Sequence, residues 1–359
     1  VTKDQLRKLS VARSLIGFSS ITKAIEHFGF VQADPIRAPA RAQDLFLRLR
    51  VRNYFAGDLE KKYPRLKIEE DRFVNYGFMS RNLQRHFYPR LHKGKLSIER
   101  QAPGLSERVL EFVRSRGVTH PKEAQAEFGK QTVGNYWGGG SQATTRALEG
   151  LHYRGQLRVA KRDNGIKLYE VATHLESVSA ENIDRAEAVS ALLHSILHIY
   201  SPIPESSLGY LISLSRYGAP HLASEIRSAF KAQKEQMRSA VVDGLRYFWL
   251  DERTREPKEE RQVRFLSPFD PVVWDRRRFE HLHGWGYKFE AYVPPSKRAM
   301  GHYALPLLWG DRVIGWGNLK VEKGKLITDI GYVQKKPTSR EFRVALSEEL
   351  GRLEVFLGI

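Results

Sequence analysis

The sequence contains no cysteine. That absence excludes a disulfide framework and every thiolate-ligated metal site, so thiolate-zinc deaminases and iron–sulfur cluster enzymes are ruled out. It fits a cytoplasmic protein. Long apolar runs are also missing: no stretch approaches the ~18 residues that would span a bilayer. The first fifteen residues lack a signal-peptide core and read as an amphipathic helix. Acidic residues are in deficit: 59 Lys and Arg face 41 Asp and Glu among 359 residues, a net charge of +18. A surface this cationic concentrates polyanions, so nucleic acid is the expected partner. The hydrophobic and charged fractions, 41% and 28%, are those of a globular chain rather than a disordered one.

The pattern along the chain is modular. Apolar spacing predicts helices over 3–15, about 20–28 (stopped at Gly29) and roughly Ala38 to Val51, with Phe30–Ile36 extended before Pro35 and its neighbours. A second block is clearer. Helices are expected over Leu105–Arg116, Pro121–Phe128 (capped by Thr119) and Gln142–Tyr153 (capped by Ser141), followed by two alternating runs about Asp163-Asn164-Gly165. Three helices and a hairpin make a winged helix, whose third helix usually enters the major groove. A third block repeats the order more weakly: helices near 184–198, 205–215 and 219–236, then short runs Ala240–Asp243 and Gly244–Leu250. The charged segment Glu252–Arg264 reads as a linker. Beyond it, four runs beginning at Tyr287, His302, Asp311 and Lys325 suggest antiparallel strands, and a helix over Ser339–Leu357 closes the chain.

The expected fold is therefore α+β. It has a winged helix over 1–100, a second over 101–178, a third over 179–262, and an antiparallel β-barrel-like domain over 263–359.

Two stretches resemble one family. The first is Phe30-Val31-Gln32-Ala33-Asp34 with Arg41-Ala42-Gln43-Asp44-Leu45 and Leu49-Arg50; the second is the run 266–279 (LSPFDPVVWDRRRF) continuing through 287–316. Both are similar to the YcaQ/AlkZ-like winged-helix DNA glycosylases, and the layout extends the resemblance over essentially the whole chain. The resemblance implies three tandem winged helices and a β-barrel around a concave DNA-binding surface. It also implies excision of N7-alkylguanine adducts and, in some members, unhooking of interstrand crosslinks. Gln32-Ala33-Asp34 looks like the Gln-x-Asp form of the family's motif, which goes with the crosslink-unhooking branch. Family members also carry a Trp-Ala-His-Glu-Ala-like segment after the first winged helix. Residues 71–80 (DRFVNYGFMS) stand there instead, marking a divergent branch.

The chemistry suits the motif. An N7-alkylated guanine is already cationic, so its leaving needs little acid assistance. A carboxylate can stabilise the oxocarbenium-like sugar and take a proton from the attacking water. Asp34 is the candidate for that role, with Gln32 holding the same water; in an extended segment the two would share a face. No metal or cofactor is needed. The bland alternative is that Asp34 caps a turn before Pro35 and Gln32 is a half-buried polar residue.

Candidate DNA contacts are Arg41, Arg146 and Arg154, the wing residues Lys161 and Arg162, the cluster Arg276, Arg277 and Arg278, and Lys297 with Arg298. The alternative for the basic clusters is a solvated charge run. His281 and His283 alternate as strand ligands would, but no third metal ligand accompanies them. Gly138–Gly140 has no Gly-Lys-Ser/Thr after it and reads as a plain loop, while Trp309 and Trp316 read as sheet core. The function expected is a monofunctional, monomeric DNA glycosylase, nucleoid-associated in the cytoplasm. It would act on double-stranded DNA carrying alkylated or crosslinked purines, with no membrane partner. A non-catalytic winged-helix DNA binder or transcription regulator is the alternative.

Overall fold

A computed structural model describes residues 1–90, 94–134, 138–178, 184–250 and 261–359. Helix and antiparallel sheet are mixed throughout, and the chain forms two compact units. One gathers residues 1–59, 193–211 and 230–359; the other gathers 60–192 and 212–229.

The first unit begins with the helix Lys3–Ser14. Thr2 and Gln5 cap it reciprocally, side chain to backbone, at 3.2 and 2.8 Å. Ser20 caps Ile21–Phe28, and Gly29, at φ 72°, ends it in a conformation that only glycine takes without strain. The extended strand Phe30–Gln32 follows. The expected long third helix is only Ala42–Leu47. Residues 33–41 are irregular instead, because Pro35 and Pro39 cannot donate to a helical ladder.

The hairpin Arg238–Val242/Leu245–Trp249 forms where two short apolar runs predict it, turning at Asp243 and Gly244 with φ 49° and 77°. Of the charged segment 252–264, residues 252–260 lie outside the described residues, and Val263–Phe265 is a strand rather than linker.

That strand opens a four-stranded antiparallel sheet, in the order Val263–Phe265, Leu305–Trp309, Arg312–Glu322, Lys325–Tyr332. The sheet is open, so the barrel-like closure expected from the strand spacing is not formed among the described residues. The run 287–293 is not a strand either. Pro294 and Pro295 interrupt any ladder there, and the buried Glu290 carboxylate gathers the backbone N–H groups of Ala299, Met300 and Gly301 at 3.1, 2.7 and 3.3 Å. His281 and His283 sit on the helix Arg276–His283, not on a strand, so residues two apart there point in different directions. His281 meets the Tyr247 hydroxyl at 2.6 Å, and His283 Nδ1 accepts from Val313 N at 3.1 Å. No metal-holding group of side chains occurs among the described residues. Ser339 caps the closing helix Arg340–Leu357.

The second unit contains the helices Leu105–Arg116, Pro121–Phe128 and Ala143–Tyr153 and the hairpin Leu157–Asp163/Ile166–Val171, as the sequence pattern predicts. Asn164 and Gly165 supply the positive φ of its turn. Two caps differ from expectation. His120 Nδ1, rather than Thr119, accepts the free N–H of Lys122 at 2.9 Å, because Thr119 is held in a backbone bridge to Tyr169. Ser141 lies in a short strand, Gly140–Gln142, paired with Thr132–Gly134, and Gln142 takes the cap position. Glu69, Glu70 and Asp71 lie buried on the strand Ile68–Arg72. They pair with Arg158 at 2.8 Å, Arg162 at 2.5 Å and Arg90 at 2.7 Å.

Candidate active site

The site is assembled from the bottom by a buried ion pair. Arg50 and Asp270 meet at 2.8 Å with both side chains fully shielded from solvent. Such a pair is tolerated only when its remaining hydrogen-bonding capacity is met. Here it is: Arg50 also donates to Ser14 O at 2.8 Å, Ser14 Oγ at 2.6 Å and Phe46 O at 2.9 Å, and its guanidinium lies 3.6 Å from the Phe46 ring centroid. Asp270 in turn caps the short helix Pro271–Trp274, accepting from Val272 N at 3.1 Å. The first helix, the Ala42–Leu47 helix and the Pro271 helix are thereby locked together.

At the end of the Pro271 helix, the Trp274 indole Nε1–H donates to Gln32 Oε1 at 2.9 Å. An indole nitrogen only donates, so this contact fixes which way the Gln32 amide faces. One lone pair of the carbonyl is taken, and the NH2 has no partner among the described residues. The Tyr200 ring packs on Trp274 at 5.2 Å and Tyr210 at 6.4 Å, holding the indole in place.

Asp34 lies just past the strand, so the alternation that would put Gln32 and Asp34 on one face stops at Gln32. Its backbone N–H donates to Gln43 Oε1 at 3.3 Å. One carboxylate oxygen accepts from Ile36 N at 2.9 Å, the turn expected of an Asp before proline. The buried Tyr303 hydroxyl makes no hydrogen bond of normal geometry among the described residues, Asp34 included, but it lies close enough to the Asp34 carboxylate to act on its charge. Burial pushes the Asp34 pKa above the ordinary aspartate value, against the Ile36 N–H and the Tyr303 hydroxyl, which both pull it down.

No Lys or Arg neutralises Asp34 among the described residues, although it is almost fully buried. Five other buried acids each face an arginine: Asp270 has Arg50, Glu349 has Arg48, and Glu69, Glu70 and Asp71 have Arg158, Arg162 and Arg90. Buried Glu290 and Asp275 are instead held by two or three backbone N–H groups each, whereas the Asp34 carboxylate accepts from one, that of Ile36. A narrow crevice of about 10 Å³ borders Gln32, Tyr200 and Phe269. A wide depression of about 500 Å³ borders Ala38, Gly301, His302 and Tyr303.

The expected DNA contacts divide. Arg278 is corrected: its guanidinium is buried and donates to the carbonyls of Tyr200, Pro202 and Pro271, so it holds the fold and cannot reach a phosphate. Arg276 is likewise spent on Val273 O at 2.6 Å and Pro268 O at 2.9 Å, with its guanidinium over the Tyr287 ring. Arg162 is drawn onto Glu70, and Arg154 pairs with Glu99 at 3.1 Å. Arg146 pairs with Glu149 one turn along its helix at 2.6 Å, a half-buried contact. Lys161, Arg277 and Lys297 are exposed, Arg298 is half-buried and donates to Val293 O at 2.7 Å, and half-buried Arg41 opens the Ala42–Leu47 helix.

Sequence reasoning missed Tyr303 and the pinning role of Trp274. Both lie in the resembling runs, Trp274 in 266–279 and Tyr303 in 287–316, but nothing local marks either as a partner of the motif, since only folding brings them beside Gln32 and Asp34.

A family model described as DNA glycosylase AlkZ-like matches residues 25–356. The chain belongs to the AlkZ-like DNA glycosylase family. It is thus a DNA glycosylase, a DNA-repair enzyme whose substrate is DNA. Among solved structures, the Streptomyces sahachiroi DNA glycosylase AlkZ matches with a TM-score of 0.65 at 15% identity, over 100% of this chain and 97% of that one. At that identity the likeness speaks for the fold alone. No helix among the described residues is long and apolar enough to cross a membrane.

Proposed function

We propose that this glycosylase hydrolyses the N-glycosidic bond of cationic N7-alkylated purines in duplex DNA, with Asp34 and Gln32 as the catalytic pair. The observation that carries this reading is the buried Asp34 carboxylate left without a cation. A buried unpaired charge is costly, and such groups concentrate where a substrate supplies the missing charge. An alkylated purine and the oxocarbenium-like sugar both do so.

In the reaction, the C1′–N9 bond breaks and its electron pair goes to the purine, which departs neutral. A water oxygen bonds to C1′ and its proton passes to Asp34. The raised pKa makes Asp34 a better base than an exposed aspartate. Gln32, its carbonyl held by Trp274, offers its NH2 to the water's lone pair. No lysine sits in the motif to form a Schiff base, so the enzyme is monofunctional and leaves an abasic site. The further reading is of a monomer, nucleoid-associated in the cytoplasm, built as winged helices over 1–100, 101–178 and 179–262 plus the sheet domain 263–359. An interstrand crosslink through N7 of guanine falls within the same reading, because its purine is also a cationic leaving group.

The test is release of free base from duplexes carrying N7-methylguanine or a nitrogen-mustard crosslink. Wild type should release N7-methylguanine and leave an alkali-labile site, and Gln32→Ala should lose release while retaining DNA affinity. Wild-type protein that binds both duplexes and releases nothing would overturn the reading.

A further inference from the structure

Tyr292 is the most exposed large apolar side chain among the described residues, with 81% of its surface open. It does not ride on a floppy loop. The Glu290 carboxylate ties the loop shut by accepting from the N–H groups of Ala299, Met300 and Gly301, and Arg298 Nε donates to Val293 O at 2.7 Å. Two prolines stiffen the far side, where a single 3-10 turn, Pro295–Lys297, follows Pro294. At the closing end Gly301 has φ +115°, and a Cβ there would fall 2.2 Å from Asn318 Oδ1, while Asn318 Nδ2 donates to Met300 O at 2.7 Å. The loop is thus ordered before any ligand arrives, and its tip is an aromatic ring that stabilises nothing in the core.

The ring is also well placed. Its one ring neighbour among the described residues, Phe289, lies 6.2 Å away, and Phe289 packs on Tyr303 at 5.2 Å, the residue whose hydroxyl acts on the Asp34 charge. Exposed Lys288 and Lys297 flank it in the same loop. A preordered, cation-flanked aromatic two ring contacts from the candidate carboxylate has the chemistry of a base-stacking platform.

We propose that Tyr292 is the wedge of this enzyme, stacking on the unstacked nucleobase next to the modified purine while that purine lies at Asp34. The proposal rests on Asp34 marking the lesion position. Opening one base step lets a glycosidic bond inside a duplex reach a fixed carboxylate, and the exposed ring replaces the stacking that the step loses.

The test uses the full chain and duplexes with 5-iodouracil on either side of a 2′-fluoro-stabilised N7-methylguanine. Near-ultraviolet light crosslinks iodouracil to an aromatic ring stacked on it. The crosslink should map to Tyr292, persist in Tyr292→Phe and vanish in Tyr292→Ala. Single-turnover release from an unfluorinated N7-methylguanine duplex should fall about tenfold in Tyr292→Ala and stay near wild type in Tyr292→Phe. Crosslinks mapping elsewhere, with Tyr292→Ala releasing base at the wild-type rate, overturn the wedge and leave the glycosylase reading intact. A crosslink at Tyr292 in a wild-type protein that releases no base upholds the stacking and overturns the catalytic reading instead.

Discussion

The indole of Trp274 holds the side-chain carbonyl of Gln32 at 2.9 Å, across most of the length of the sequence. The contact turns an amide that can face either way into a one-sided donor. Trp274→Phe keeps the aromatic packing against Tyr200 and removes only the hydrogen bond. A hydrogen bond of this kind contributes about 1 kcal/mol, so single-turnover base release should fall about fivefold with unchanged DNA affinity. Unchanged release would mean that the amide's orientation does not matter to the step.

The Tyr303 hydroxyl pulls the Asp34 pKa down against burial. Tyr303→Phe removes that pull, so the Asp34 pKa rises further above its ordinary value. The reaction needs the ionised carboxylate. Rate therefore declines as pH falls through that pKa, and in the variant the decline should begin at higher pH. A pH–rate profile of single-turnover release checks the sign; a shift of the acid limb to lower pH contradicts it.

Arg50 and Asp270 are both fully shielded and share one network. Removing one partner strands a buried charge, which costs about 3–5 kcal/mol. Arg50→Met should accordingly lower the denaturant midpoint strongly and reduce soluble yield. Arg50→Met combined with Asp270→Leu should recover part of the loss, as measured by urea unfolding.

The basic residues separate into two groups. Arg277, Lys161 and Lys297 are exposed, so neutralising any one that touches a phosphate should flatten the salt dependence of DNA binding by about one unit of slope. Arg278→Ala should instead destabilise the fold, because three backbone carbonyls lose their donor. Fluorescence anisotropy across a salt series and thermal melting tell the two effects apart.

Local signals in the sequence were enough for the helices Leu105–Arg116 and Pro121–Phe128 and for the turns at Asn164-Gly165 and Asp243-Gly244, where apolar period, Pro121 at the helix start, Gly117 at a helix end and the positive-φ residues agree, although the cap of Pro121–Phe128 is His120 and not Thr119. The motif Gln32-Ala33-Asp34 was legible through the residues flanking it. What was not legible is long-range. The arginines of the 266–279 run read as phosphate clamps because their charge is visible in the sequence, whereas the carbonyls that consume Arg276 and Arg278 are not. Arg162 misled for the same reason, since Glu70 lies far away in the chain. The run 287–293 has the alternation of a strand, but the two prolines after it and the Glu290 carboxylate outweigh that pattern.

The most direct measurement is the single-turnover rate of N7-methylguanine release by Asp34→Asn at saturating enzyme. Asparagine keeps the side-chain oxygen that accepts from Ile36 N, so the turn survives and only the charge is lost. If the unpaired buried carboxylate is the catalytic group, the rate should fall by about 100- to 1000-fold while DNA affinity holds. A rate within twofold of wild type would contradict the account and leave Asp34 as the cap of a turn.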